Sequence, residues 1–361
     1  MRILFSGSSS GGHIFPALAL AEELSKKNDA EIFVLQTGNE DIDRQIAEKG
    51  FQIVPFKLRG ISFIAFGKAF FSVFKLISAS IHSLRILFKI KPDIVLGFGG
   101  YYCAPVVMVA HFLGIPTMIH EQNVVPGKAN SILAKFVDKI AVSFKESIKY
   151  FRAKKVVFTG CPVRKDIIDA TIEDARKRFN LNDEKFTIFI MGGSKGSHSI
   201  NLKILDAVTN MRNKEKLRII HVAGHQDYDF VLREYSKMKI DALVFAFLKE
   251  IGYAYKLANI AVTRAGASTI SELIALRVPA IIIPYPFAGG HQSMNAKILS
   301  DVEAATIIDE HSLSARILTE QLESFASDAV RIKQMKVNFE RIENYNAVQN
   351  LAAEVLPIRR C

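Results

Sequence analysis

Short runs of β-branched and other apolar residues alternate along the chain with longer segments whose apolar positions recur at three- and four-residue steps. That alternation marks parallel βαβ units, in which buried strands are joined by crossover helices. In the first half it predicts strands near 2–7, 31–37, 51–57, 93–98, 116–120, 139–143 and 155–159. In the second half the strands fall near 186–191, 217–223, 242–247, 259–263, 279–284 and 304–308. Each half therefore holds enough strands for a complete doubly wound α/β sheet. After about residue 312 the pattern is wholly helical, from Ser314 to Ala326 and again to Leu356.

The clearest seam is Thr159-Gly160-Cys161-Pro162-Val163-Arg164, where a strand ends at a glycine and a proline blocks its continuation. It predicts a first domain over 1–161 and a second over 162–338, with a terminal helix at about 339–361 able to pack back on the first. A length of 361 residues suits two cores rather than one. With 49% hydrophobic and 23% charged residues, the chain reads as globular rather than disordered or fibrous. Cys103, Cys161 and Cys361 are far apart, which argues against a disulfide framework or a zinc site and suits a reducing compartment. Met1 to Gly7 reads as a first buried strand rather than a signal peptide. No stretch reaches the roughly 18–20 uncharged apolar residues of a membrane span, so an integral membrane protein is not expected.

Charge changes this picture. The net charge is +11, and residues 1–161 hold 20 Lys/Arg against 12 Asp/Glu, whereas 162–361 hold 27 against 24. A basic first half calls for an acidic partner: nucleic acid, a phosphorylated substrate or anionic lipid. Between Glu48 and Asp93 there is no acidic residue, while Lys57, Arg59, Lys68, Lys75, Arg85, Lys89 and Lys91 are interleaved with eight phenylalanines. Lys68, Ser72, Lys75, His82, Arg85 and Lys89 recur at helical steps, giving one basic face beside apolar Phe63, Phe66, Phe70, Phe71, Phe74 and Leu76. An ordinary amphipathic helix with a solvated face has that pattern, and so does a segment that docks on an anionic leaflet. No nucleic-acid motif accompanies the charge, so nucleic acid is not expected as a partner.

In open parallel sheets ligands bind beyond the carboxyl ends of the strands. Three glycine turns follow strands: Gly7 to His13, Gly97-Phe98-Gly99-Gly100-Tyr101, and Gly192-Gly193-Ser194-Lys195-Gly196-Ser197. Glycine lets backbone N–H groups approach an anion at a helix N-terminus, although tight turns also use it for purely steric reasons. A dinucleotide-binding oxidoreductase would need G-x-G-x-x-G and an acidic end to the second strand. The first turn instead runs G-x-x-x-G-G-H, and the second strand ends Val34-Leu35-Gln36-Thr37. A Walker P-loop is absent too, because Gly192 to Ser197 lacks the G-K-[ST] ending. Further on, Thr263 to Glu272 ends a strand in small residues that admit a flat ring, followed by a carboxylate able to accept both hydroxyls of a ribose. The bland alternative for Glu272 is an acid favoured by the helix dipole. Gln292 and Asn295, three apart and so on one helical face, are candidates for sugar hydroxyls.

Taken in order, Gly11-Gly12-His13, His120-Glu121-Gln122-Asn123, Cys161-Pro162-Val163-Arg164, Gly192-Gly193-Ser194, Ser271-Glu272 and His291-Gln292-x-x-Asn295 resemble a known family. It is the MurG family, the UDP-N-acetylglucosamine:lipid I N-acetylglucosaminyltransferases of bacterial peptidoglycan synthesis. The likeness runs from residue 1 to about 300 with matching spacing. It implies a GT-B fold, two Rossmann-like domains with a cleft between them, the C-terminal one holding UDP-GlcNAc and the N-terminal one receiving lipid I. It further implies that Ser10, Gly11 and Gly12 line the phosphate and sugar side, that Asn123 contacts the donor sugar, and that Arg164 and Ser194 lie near the diphosphate. On the same basis Leu248 sits by the uracil, and Ala267, Ser268, Thr269, Ile270, Ser271 and Glu272 cover the nucleoside, with Glu272 on the ribose. Gln292 holds the sugar hydroxyls. This chain departs from the family at Ser8-Ser9-Ser10, at Gly196-Ser197 and at Gly289-Gly290-His291, which bears on loop geometry more than on the reaction. Serine tolerates positive φ poorly, so a slightly different path or strain is expected in the first turn.

The implied reaction is inverting: the 4-hydroxyl of the acceptor's N-acetylmuramyl sugar attacks the anomeric carbon and UDP leaves. Helix N-termini after the glycine turns, with Arg164, suffice to stabilise the diphosphate charge. No metal is then obligatory, a divalent cation being at most stimulatory. The D-x-D at Asp41-Ile42-Asp43 reads as capping acids at the start of a helix. For the base, His13 is favoured and Glu121 comes second. Rival readings are another GT-B transferase such as a diacylglycerol glycolipid synthase, and a non-catalytic sugar-nucleotide or anionic-lipid binder. The expected partners are UDP-GlcNAc, lipid I, an anionic membrane surface, and cell-wall synthesis and division proteins. The expected location is peripheral, on the cytoplasmic face of the bacterial cell membrane.

Overall fold

The computed structural model describes the chain except residues 9, 27–29, 57–68, 101–102, 194–195, 288, 344–345 and 359–361, and except the side chains of 41, 69–76 and 153. Among the described residues the first half forms β1 (Arg2–Ser6), β2 (Glu31–Leu35), β3 (Gln52–Val54), β4 (Ile94–Gly97), β5 (Thr117–Glu121), β6 (Lys139–Val142) and β7 (Val156–Phe158). The second half forms β8 (Phe186–Met191), β9 (Leu217–Val222), β10 (Asp241–Phe245), β11 (Ile260–Thr263), β12 (Ala280–Ile282) and β13 (Ala305–Ile307). These make a seven-stranded sheet ordered β3-β2-β1-β4-β5-β6-β7 and a six-stranded sheet ordered β10-β9-β8-β11-β12-β13, with parallel pairing throughout. Every strand expected from the sequence is present. The expected 51–57 strand shortens to Gln52–Val54, because Pro55 has no N–H to offer the ladder.

The chain divides into two compact units, Met1–Arg164 with Tyr345–Cys361, and Lys165–Asn344. In the first unit the period-two alternation of β1 sends Ile3 and Phe5 to one face and Leu4 to the other. Ile3 and Phe5 pack with helix Gly11–Ser25 and with Leu351, Ala352 and Val355 of helix Ala347–Val355. Leu4 packs with Val95, Val106, Val107 and Leu87, beneath helices Ala69–Ile90 and Cys103–Phe112. With both faces covered, strands such as β4 read as unbroken apolar runs. The terminal stretch grouped with the first unit is Tyr345–Cys361. Its helix crosses the end of β7, where Gly160 has φ +79° and a Cβ would lie 2.9 Å from the Ala347 methyl. In the second unit Ile188, Ile190, Ile219 and Val262 pack with Ile204, Val208, Leu318, Leu322 and Phe325.

Each strand order reverses once, between β1 and β4 and between β8 and β11. Those two switch points are where an open α/β sheet leaves a crevice for a ligand. The turns after β1 and β4 are Gly7 to His13 and Gly97 to Tyr101; those after β8 and β11 are Gly192 to Ser197 and Arg264 to Gly266. All three glycine turns and the nucleoside constellation thus follow the strands that flank a switch point.

Candidate functional sites at the two switch points

In the first unit the serine-rich turn is accommodated without positive φ at Ser8 or Ser10. Ser10 is the N-cap of helix Gly11–Ser25 with an extended backbone (φ −83°, ψ 137°), and the Ser8 and Ser10 hydroxyls lie 3.1 Å apart. The adjustment is made across the switch point, where Gly100 (φ +83°) leaves the space that Ser8 occupies. The strain expected of the serines is therefore not found at the two that are described. Gly11 is half-buried and Gly12 exposed, at the first turn of the helix. Pro16 is the sixth residue of that helix rather than part of its first turn, so it does withhold a donor there.

His13 is half-buried, and its Nδ1 lies 2.9 Å from Gln122 Oε1. Gly99 (φ +84°) backs the ring: a Cβ there would lie 3.1 Å from His13 Cε1. Glu121, the last residue of β5, is 1% exposed, and both of its carboxylate oxygens are occupied. Oε1 accepts from Asn123 N (2.9 Å) and Asn123 Nδ2 (3.1 Å); Oε2 accepts from Gly127 N (3.1 Å) and Asn130 Nδ2 (2.9 Å). That carboxylate organises its own loop, and Asn123 is held within it, its carbonyl accepting from the Ser147 hydroxyl. Asn130 was not singled out by the sequence, yet its Nδ2 also donates to His120 O. The available signal was an asparagine in the first turns of a short helix, Lys128–Leu133, after Gly127. The Arg164 guanidinium lies 4.7 Å from the centre of the Phe15 ring, a cation–π contact that fixes its stem beside helix Gly11–Ser25. Asp43 of the D-x-D accepts from Thr37 N and the Thr37 hydroxyl, both at 2.9 Å, and so closes the turn after β2.

In the second unit Ser194 lies outside the described residues. Around it, Gly193 has φ +102° and Gly196 φ +78°, and Ser197 caps helix His198–Asn210. The turn is tied to β11 by Arg264, which is 7% exposed. Its Nη2 donates to Ser197 Oγ (2.8 Å), Ser199 Oγ (3.2 Å) and Glu310 Oε1 (3.1 Å). Its Nη1 donates to Ile283 O (3.2 Å) and pairs with Glu310 Oε2, and Tyr285 covers the guanidinium at 5.5 Å. Burial works against the Glu310 carboxylate, but hydrogen bonds from Arg264 and Ser199 hold its carboxyl below the ordinary value. This clamp joins the ends of β8, β11, β12 and β13. Sequence reading missed it, because Arg264 and Glu310 are 46 residues apart.

Helix Ala267–Leu276 starts at Gly266 with no side-chain cap. Ser268 and Thr269 are half-buried on its first turn. Ile270 is fully buried and the Ser271 hydroxyl donates to Ala267 O at 2.9 Å, so those two side chains serve the core and the helix rather than a ligand. Glu272 is half-buried, with Oε2 accepting from the Tyr255 hydroxyl at 2.8 Å; the buried Tyr255 thereby orients the carboxylate. Leu248 is buried just beyond β10, beside a 48% exposed Phe247. Gln292 Oε1 accepts from Ala265 N (3.1 Å) and Tyr285 N (2.9 Å), which turns its amide nitrogen away from both strand ends. Asn295 corrects the expectation of a shared sugar-binding face. It is fully buried and donates to Ala265 O at 3.1 Å, clamping the same residue from the other side.

Comparison with known proteins accords with this geometry. Residues 3–142 match the glycosyltransferase family 28 N-terminal domain and residues 187–352 its C-terminal domain. A UDP-N-acetylglucosamine–N-acetylmuramyl-(pentapeptide) pyrophosphoryl-undecaprenol N-acetylglucosamine transferase of Halothermothrix orenii is 36% identical over 358 residues, covering 95% of each chain. The enzyme of the same name from Syntrophus aciditrophicus is 34% identical over 364 residues, covering 100% of this chain and 99% of its own. The crystal structure of Acinetobacter baumannii MurG superposes with a TM-score of 0.77 at 27% identity, over 98% of this chain and 99% of that one. A UDP-GlcNAc 2-epimerase from Neisseria meningitidis, 13% identical with a TM-score of 0.69, shares the fold over 99% of this chain and 98% of its own. With this identity over nearly its whole length, and two Rossmann-like units of the GT-B type, the chain belongs to the MurG family of N-acetylglucosaminyltransferases.

Proposed function

We propose that this chain moves GlcNAc from UDP-GlcNAc to the 4-hydroxyl of the N-acetylmuramyl sugar of lipid I, with inversion, forming lipid II. The observation that carries the reading is the coincidence of all three glycine turns and the Arg264–Glu272 segment with strands flanking the two switch points. The second unit takes the donor. Glu272, oriented by Tyr255, accepts the ribose hydroxyls; Leu248 borders the uracil; and the N-terminus of helix Ala267–Leu276 faces the nucleoside diphosphate. Gln292, its carbonyl oxygen held by two backbone N–H groups, presents its amide nitrogen to the sugar hydroxyls. Backbone N–H groups at the helix N-termini that follow the glycine turns answer the charge that grows on the diphosphate as the glycosidic bond breaks. In this reading no metal is obligatory, a divalent cation being at most stimulatory.

For the base we assign His13, which is half-buried and backed by a glycine. Glu121, with four donors on its two oxygens, supports the loop that carries Asn123.

The acceptor in this reading is lipid-linked and the site of action the cytoplasmic face of the membrane; helix Ala69–Ile90 supports attachment to an anionic surface. Ile77 (51%), Ile81 (47%), Leu84 and Phe88 (61%) form an exposed apolar stripe at helical spacing. Exposed His82, Arg85 and Lys89 run beside it. Each basic group near an anionic surface adds about 1 kcal/mol, and the apolar stripe adds insertion. Among the described residues no helix is long and apolar enough to cross a membrane. Partners among cell-wall synthesis and division proteins belong to the same reading.

UDP release with a lipid I analogue tests the proposal, comparing UDP-GlcNAc with UDP-glucose and UDP-galactose. Release with UDP-GlcNAc well above the other two is expected. Release with another donor and none with UDP-GlcNAc overturns it.

A further inference from the structure

Strand β5 and the residue after it place His120 and Gln122 two apart, hence on one face, with Glu121 on the other. Both are buried, at 2% and 1% exposure. Gln122 Nε2 lies 3.1 Å from His120 O and 3.1 Å from His120 Nδ1, while its Oε1 lies 2.9 Å from His13 Nδ1. His120 Nε2 in turn lies 3.0 Å from Gly160 O.

The backbone carbonyls fix who donates. A carbonyl oxygen only accepts, so the Gln122 amide nitrogen must be the group facing His120 O, and its oxygen must face His13. By the same rule His120 Nε2 carries the proton that Gly160 O accepts. Burial pushes the His120 imidazole down to about 4, outweighing the favourable bond to Gly160, and His13 opposes its charge as well. His120 is therefore neutral near pH 7, and its Nδ1 lone pair accepts the second amide hydrogen of Gln122. Asn130 Nδ2 fills the remaining position on His120 O. With the His13 ring neutral, only one arrangement of protons satisfies every member. In it His13 Nδ1 must donate to Gln122 Oε1.

We propose that Gln122 and His120 are positioning residues that lock His13 as its Nδ1–H tautomer, so that Nε2 carries the lone pair. This deepens the assignment of His13 as the base and rests on it for its catalytic meaning. A free imidazole favours the opposite tautomer, which would put a proton on Nε2 and leave nothing there to accept the acceptor's hydroxyl proton. The amide does the orienting that a carboxylate does in a Ser-His-Asp triad, without adding a negative charge beside the ring. Gly160 connects the device to the terminal segment, because the residue whose carbonyl anchors His120 is the one packed against Ala347.

The test is 15N NMR of the full chain labelled on histidine, with the His13 signals assigned by comparison with His13→Gln. The proposal predicts a proton-bearing Nδ1 and a bare Nε2 at neutral pH. In Gln122→Met the two swap, kcat falls ~10–100-fold, and KM for UDP-GlcNAc stays within about twofold. In Gln122→Glu one carboxyl oxygen again accepts from Nδ1 while the other, facing His120 O, must carry the carboxyl proton, so the tautomer and most of kcat are kept. A wild-type His13 protonated on Nε2, or an unchanged tautomer in Gln122→Met, overturns the proposal. Full turnover by His13→Ala with the predicted tautomer present would instead overturn the base assignment alone.

Discussion

Replacing Arg264 by alanine removes the guanidinium that joins Ser197, Ser199, Ile283 O and Glu310. The side chains of the pair are 9% and 20% exposed, so the stranded Glu310 carboxylate is partly rehydrated rather than wholly buried. Breaking a fully buried pair from one side costs about 3–5 kcal/mol, and this exposure brings the expected loss to ~2–3 kcal/mol. The second unit should unfold at correspondingly lower urea, and UDP affinity should fall because the turn after β8 loses its tie to β11. Pairing Arg264→Met with Glu310→Met removes the unpaired charge and should recover much of the stability without recovering UDP affinity. Urea unfolding and titration calorimetry with UDP read the two effects separately. The sign with pH follows from Glu310. Its carboxyl is held below the ordinary value, so its contribution is present above about pH 4.3 and is lost as pH falls through the lowered value. The stability gap between wild type and Arg264→Ala should therefore narrow in acid. A single variant that loses under ~1 kcal/mol, or a double variant no more stable than the single, refutes the clamp.

Gly99→Ala forces a side chain onto φ +84° and against the His13 ring, so turnover should fall at least tenfold, while UDP binding, proposed above for the second unit, should change little by calorimetry. Glu121→Gln replaces an acceptor of four hydrogen bonds with one oxygen and a donor; a stability loss of ~1–3 kcal/mol in thermal unfolding is expected, with no shift in the acid limb of the pH–rate profile. A shifted limb would favour Glu121 over His13 as the base. Arg85→Gln with Lys89→Gln should weaken binding to anionic vesicles in a salt-dependent way, and Phe88→Ser should weaken it at all salt concentrations; equal binding of wild type to neutral vesicles contradicts the membrane reading.

The architecture was legible because parallel strands covered on both faces leave near-continuous apolar runs, as at β4 and β8. The glycine turns were legible because tight exits from strands near a crevice need small residues. What spacing alone conveyed less well was which side of a helix faces the core. Gln292 and Asn295 do share a face, but Asn295 is fully buried beneath Ala265, a fact set by tertiary packing. Likewise the sequence left two candidate bases, His13 and, in the His-Glu-Gln-Asn segment, Glu121. Which of its members is enclosed depended on Asn130 and Gly127 folding back over Glu121. The Arg264–Glu310 pair had no local signature at all.

The central claim is tested most directly by transfer of labelled GlcNAc from UDP-GlcNAc to a lipid I analogue, comparing wild type with His13→Ala. The account predicts a disaccharide product from wild type. It predicts a loss of ~100-fold or more in kcat for the variant, with UDP affinity preserved. Absence of the disaccharide from wild type, or undiminished transfer by His13→Ala, contradicts it.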